Sequence, residues 1–112
     1  MLSNKDYKML HLNAQGYVLK CLCCDHYQLA FGTSLLIFSQ QELYDFWQMV
    51  QRQISYSGEV DNPQLKQFQL PTVTPKVILV FNLRELQELE YLLKQAHFRL
   101  EIVTLMQNID LN

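Results

Sequence analysis

Residues 35–50 read LLIFSQQELYDFWQMV, and residues 78–93 read ILVFNLRELQELEYLL. The first stretch decides the fold. Leu35 to Phe38 is a short apolar run of strand type. Ser39-Gln40-Gln41-Glu42 is a capping box. The Ser39 hydroxyl accepts a hydrogen bond from the third helical N–H, and the Glu42 carboxylate reaches back to the Ser39 N–H. Phe38 before the cap and Leu43 after it take the positions of a hydrophobic staple. Leu43, Phe46, Trp47, Val50 and Ile54 then recur at helical spacing, which makes one apolar face. The spacing predicts a helix ending near Ile54–Ser55, followed by the polar loop SYSGEVDN over 55–62.

The second stretch repeats this plan 43 residues later. Leu36 falls on Leu79, Phe38 on Phe81, Glu42 on Glu85 and Leu43 on Leu86. Asn82 stands where Ser39 stood, so cap and staple both recur. The pattern reads as an internal duplication of a strand–strand–helix unit. Its strands are expected over Gln67–Leu70 and Lys76–Phe81, with a turn at Pro71–Pro75. Its helix buries Leu86, Leu89, Leu93 and Ala96. After Ala96 the period becomes ambiguous. A short third helix over Leu100–Asn108 is expected. Phe98, Leu100 and Ile102 also alternate with charged residues as an edge strand would.

Toward the N-terminus, Tyr7–Leu12 and Tyr17–Leu22 read as strands around an Asn13–Gly16 turn. Tyr27–Phe31 alternates cleanly after a turn at Cys23–His26. Gly32-Thr33 fits a two-residue type II′ hairpin loop, with Gly32 supplying positive φ. The fold class that follows is α+β. A mostly antiparallel sheet of five or six short strands carries both amphipathic helices on one face. The chain is expected to be a single domain over 1–112. Residues 7–55 form a β-rich and helical first half, 65–97 a strand–strand–helix second half, and 98–112 a C-terminal packing segment. The sheet's other face is too apolar for open water, because Val77–Phe81 is hydrophobic at both parities. The C-terminal segment or a second subunit is expected to cover it.

Composition narrows the function. Of 112 residues, 49% are hydrophobic and 18% charged, with a net charge of −2, which is the range of an ordinary globular chain. The nine Lys and Arg residues are scattered, so no basic patch gathers phosphates and nucleic acid is not an expected partner. No apolar run reaches signal-peptide or membrane-span length, so a cytoplasmic location is expected, with no membrane partner. His11, His26 and His97 stand alone, and no serine or threonine has a nucleophile-elbow context. No catalytic residue or cofactor is therefore expected. The expectation is a non-enzymatic domain acting through protein–protein contact, as a homodimer. Trp47 and Tyr44 are candidate interface anchors, although Trp47 sits on the apolar stripe and is expected in the core.

One cluster stands apart. Residues 20–31 read KCLCCDHYQLAF, with all three cysteines inside four positions. Tyr17 to Phe31 spells Y-x-x-x-C-x-x-C-x-x-x-x-L-x-F, which resembles the knuckle of a zinc ribbon. A structural zinc takes four ligands, and the chain has no second C-x-x-C. The candidate set is Cys21, Cys24 and His26, completed by His11 or by the knuckle of a second subunit. This gives the alternative function, a zinc-binding module. A redox role is opposed by the motif's place between strands, away from a helix N-terminus, and by Asp25 beside it. The bland alternative points Cys21 and Cys23 at the core as small apolar residues, with Cys24 near the turn.

The C-x-x-C, a strand ending in Phe31-Gly32, an aliphatic strand and the Ser39-x-x-Glu42-Leu43 helix resemble small uncharacterised proteins of the Bacteroidetes group. The resemblance covers about Tyr17 to Ala96. It implies a small cytoplasmic α+β domain of unknown function and hands over no active site.

Overall fold

The computed structural model describes residues 6–58 and 62–110, with the backbone alone over 107–110. Six strands and two helices follow in the order β1 (Tyr7–Asn13), β2 (Gly16–Cys21), β3 (Tyr27–Phe31), β4 (Ser34–Phe38), α1 (Gln40–Ser55), β5 (Phe68–Pro71), β6 (Ile78–Phe81) and α2 (Leu83–Asp110). The fold is α+β with antiparallel pairing throughout. The loop expected over 55–62 lies partly outside the described residues.

Two expectations about architecture are corrected. The strands do not share one sheet. They divide into a four-stranded sheet in the order β1-β2-β3-β4 and a separate hairpin, β5-β6. The strand–strand–helix order does recur, but the strands of one copy do not pair with those of the other. The C-terminal segment is not a third helix. A single α2 runs unbroken for 28 residues, about 42 Å at 1.5 Å per residue. No Gly, Pro or N-capping residue interrupts 83–103, so nothing stops the helix at Ala96. Leu100 continues the buried stripe of Leu86, Leu89, Leu93 and Ala96. The Phe98–Ile102 alternation is a by-product of one helix turning, and Phe98 is exposed.

Both caps form. Ser39 Oγ accepts from the Glu42 N–H at 3.1 Å, and Glu42 Oε1 accepts from the Ser39 N–H at 2.7 Å. Asn82 Oδ1 and Glu85 Oε1 make the same exchange at 2.8 Å each. Lys66 Nζ also donates to the Glu85 carboxylate at 2.9 Å, tying the approach to β5 onto the start of α2.

The turns follow their residues. Asn13 Oδ1 accepts from the N–H groups of Gln15 and Gly16 at 2.9 and 3.2 Å, an Asx-type turn. A Cβ on Gly16 would lie 1.9 Å from the Ala30 carbonyl oxygen, so only glycine fits between β1 and β3. Gly32 has φ +58°, while Thr33 keeps negative φ, as a type II′ loop requires.

One core joins both halves. Val18, Tyr27, Leu29 and Phe38 of the large sheet meet Leu43, Phe46 and Val50 of α1, Leu70 and Phe81 of the small hairpin, and Leu86, Leu89, Leu92, Leu93 and Ala96 of α2. Each fully buried leucine contributes roughly 2 kcal/mol of transfer free energy. Trp47 is half-buried beside this core. It stacks on His97 at 4.5 Å between ring centroids and donates Nε1–H to Glu90 at 3.4 Å, linking α1 to α2.

The register assigns the large sheet's other face. Tyr7, Met9, Leu12, Tyr17, Leu19, Cys21, Gln28, Ala30, Leu35 and Ile37 share it. Leu19 and Cys21 are buried there yet stand outside the main core. Leu12, Leu35 and Ile37 are exposed.

The caps give a first test. Ser39→Ala and Asn82→Ala should each cost about 1 kcal/mol, read as a lower urea midpoint at unchanged slope. The Asn82 N–H holds the Glu85 carboxyl below the usual range, with Lys66 assisting against partial burial. A depressed folded pKa contributes stability above the ordinary value of 4.5, which is lost as pH falls through the lower folded value. Glu85→Gln should remove that part of the acid limb in a stability-versus-pH curve.

Candidate metal centre in the β2–β3 turn

The ladder between β2 and β3 runs from the Gly16–Phe31 pair to Lys20–Tyr27. The Cys21 N–H then donates to the His26 carbonyl at 2.8 Å. This makes Cys21 and His26 the last opposed pair and leaves Leu22–Asp25 as a four-residue turn. Asp25 adopts φ +50°, a left-handed conformation that Asp tolerates better than most residues. The Leu22 N–H donates to the Asp6 carbonyl at 2.9 Å, holding the turn against the entry to β1.

This backbone folds Cys23 and Cys24 back toward the end of β2. The three Sγ atoms form a triangle with every side 3.1 Å. Cys21 is buried, whereas Cys23 and Cys24 are exposed. The triangle is therefore anchored on the sheet and open outward. A metal at the usual Zn–S distance of about 2.3 Å from all three sulfurs would sit roughly 1.4 Å above their plane. Ideal tetrahedral angles need sulfurs about 3.8 Å apart, so each pair would open by about 0.7 Å, within reach of an exposed turn.

Hydrogen bonding within the trio separates its protons. Hydrogen bonds from Cys24, and next from Cys23, lower the Cys21 thiol from 9.0 to about 7. Cys24 is pushed up to about 12, first by its hydrogen bond with Cys23 and then by that with Cys21. These values belong to the cluster as a unit. Of these two, Cys21 is the easier to deprotonate and Cys24 the harder.

The expected ligands are placed unequally. Cys21 and Cys24 meet, and Cys23 joins them. A Cys23 side chain aimed at the core is corrected by its exposure in the turn. His26 lies across from Cys21 and is half-buried, with Nε2 at 3.4 Å from Gln28 Nε2. Neither of its ring nitrogens lies within 4.8 Å of all three sulfurs, and among the described residues only the cysteines form such a group. His11 is not brought near. A bulge between Met9 and His11 shifts the register, so His11 pairs with Val18 on the core side and its ring meets Tyr91 at 6.1 Å. Without that extra residue, alternation would put His11 on the cysteine face. His97 lies between the helices against Trp47 and Tyr44. Its buried Nε2 has no hydrogen-bond partner among the described residues, and burial lowers its pKa.

Two grooves lie elsewhere. One of about 820 Å³ runs along α1 and α2 past Tyr44, Trp47, His97 and Glu101. The other, about 590 Å³, is mostly apolar, among Leu35, Ile37, Met49, Val73 and Val77, with Glu42, Asp45 and Arg52 also lining it. Among the described residues no helix is long and apolar enough to cross a membrane.

Residues 2–112 match a family model described as a Family of unknown function (DUF6686). No curated protein and no solved structure matches the chain.

The thiol cluster has a spectroscopic signature. In metal-free folded protein, thiolate absorbance near 240 nm should rise first around pH 7, with a last step delayed toward 12. Unfolding should collapse the steps toward the ordinary 9.0. The lowered thiol adds stability that is complete above 9 and is lost as pH falls from 9 to 7. The raised one adds stability that is lost as pH climbs from 9 toward 12. As far as these two thiols decide it, the metal-free fold should therefore be most resistant to urea near pH 9. Coincident titration of Cys21 and Cys24 in the folded protein would show that the sulfurs do not meet.

Proposed function

The chain belongs to this family of unknown function, and we propose that it is a non-enzymatic metal-binding module whose β2–β3 turn takes one zinc ion through Cys21, Cys23 and Cys24. The observation that carries this reading is the sulfur triangle with 3.1 Å sides. Thiolates are soft ligands and favour zinc and cuprous copper over magnesium or calcium. Three thiolates from one short turn also supply three negative charges where the backbone alone provides little compensation. A bound cation relieves that repulsion and releases the remaining protons, so affinity rises with pH. A cytoplasmic, reducing setting suits the reading, because there the thiols stay free. Kinship with small Bacteroidetes proteins also belongs to this reading and rests on the C-x-x-C, Phe31-Gly32 and Ser39–Leu43 signatures.

Elemental analysis of protein purified without a histidine tag or chelator tests it, with a thiol count on the same sample. One zinc per chain is expected, with thiols protected until chelator is added. Cys23→Ser should weaken binding as much as Cys21→Ser or Cys24→Ser, which a Cys21/Cys24/His26 site would not predict. No metal, together with three freely reacting thiols, would overturn the reading.

A second reading rests on a different observation. Leu12, Leu35 and Ile37 are 63%, 52% and 58% exposed on a sheet face that carries no Lys, Arg, Asp or Glu among the paired positions named above. An uncharged apolar face of this kind supports self-association, since two copies can stack without burying unpaired charge. Light scattering should report a dimer at high micromolar concentration, and Leu35→Lys with Ile37→Lys should return it to monomer. A wild-type monomer that binds no hydrophobic dye would remove this reading.

A further inference from the structure

Three sulfurs leave a zinc ion one ligand short of four. We infer that His26 supplies the fourth, making a Cys₃His centre in which Gln28 orients the imidazole. The inference rests on the metal reading above and adds a ligand that the sulfur triangle does not contain.

The register carries the argument. Cys21 and His26 are joined by the last hydrogen bond of the β2–β3 ladder, at 2.8 Å. Directly opposed residues of an antiparallel pair project to the same face, with Cβ atoms about 5 Å apart. His26 therefore stands on the same face and at the same end of the sheet as the anchoring sulfur. The next same-face residue along β3 is Gln28, which pairs with Leu19. Its side-chain amide touches His26 Nε2 at 3.4 Å, beyond the usual range for a strong hydrogen bond. That contact restrains the ring weakly. A change of rotamer swings the imidazole from lying along the strand toward the turn.

The same contact explains what Gln28 does once the ring has swung. Metal-bound histidines donate their second ring N–H to an acceptor that fixes the tautomer. The Gln28 amide carries both a donor and an acceptor. It can accept from the far nitrogen while the near one binds zinc. Ring and amide exchange roles with no new residue required. Two other candidates for the fourth position are less well placed. His11 is on the opposite face because of the bulge in β1. Asp25 adjoins Cys24, but no carboxylate oxygen joins the sulfur group.

Zinc K-edge X-ray absorption on the 1:1 zinc protein tests the assignment, with affinity measured by chelator competition. Three sulfurs and one nitrogen at about 2.0–2.1 Å are expected. His26→Ala should replace the nitrogen by an oxygen and weaken binding at least tenfold, with an unchanged circular dichroism spectrum. Gln28→Ala should keep the nitrogen and lose up to about tenfold, the lower end of the range for a supporting partner. Asp25→Asn should change neither reading. A wild-type spectrum of three sulfurs and oxygen, or equal affinity in His26→Ala, would overturn the assignment of His26 and leave the three-sulfur site standing. Absence of any zinc from the wild-type protein would overturn both.

Discussion

Each half of this molecule depends on a corner where a strand becomes a helix with one residue between. Phe38 closes the ladder with Tyr27, Ser39 turns the chain, and Gln40 is already helical. Phe81, Asn82 and Leu83 do the same. So abrupt a change leaves the first helical N–H groups without partners beside a forming core, where unpaired donors are costly. The reciprocal Ser39–Glu42 and Asn82–Glu85 bonds satisfy them. They also fix the angle at which each helix leaves its sheet, and hence which helical face meets the core. The two staple phenylalanines are themselves core residues. Local capping and global packing therefore specify the same geometry, the mark of a sequence with little conflict between levels.

The position of the cysteines follows from that frame through register. With β2 and β3 paired from Gly16–Phe31 onward, alternation leaves no choice about where Cys21 points. It faces away from the helices, beside Leu19 and Gln28, on the side the main core does not use. A one-residue slip would turn it inward and make it an inert core thiol. The bulge in β1 shows the same rule acting in reverse, since one extra residue sends His11 to the helices.

The parts of the fold that were legible in the sequence were those with redundant local signals. The caps, the α1 stripe and the Gly32-Thr33 loop each combine residue type, spacing and a neighbouring constraint. What escaped lacked such redundancy. The end of the second helix is ambiguous in the sequence because Phe98, Leu100 and Ile102 fit two periods at once. The unbroken run of helix formers through Arg99 carried the better information. The split into two sheets depends on which strand edges meet in space, and no residue of β4 or β6 records that. At the candidate site, Cys21 and Cys24 stood out by their C-x-x-C spacing. Cys23 does not stand out, because the C-x-x-C pattern singles out its neighbours and leaves it as the x beside them. The spacing itself held the missing clue, since three cysteines in four positions cannot all follow a strand.

The strand order β1-β2-β3-β4 has a consequence for how the sheet comes to exist. Every neighbour in the large sheet is also a neighbour in sequence. The connections are Ala14-Gln15, Leu22–Asp25 and Gly32-Thr33, so each pairing closes a very short loop at little entropic cost. Such meanders have low contact order and form early relative to distant pairings. The sulfur triangle lies wholly within the middle hairpin of this meander, and its assembly does not wait for α2 to be made. On a growing chain, the cysteines are gathered once the residues through about Phe38 are free to pair. The cysteine turn is in this sense a local feature of the sheet, closed by short connections, while the helices pack on the sheet's other face.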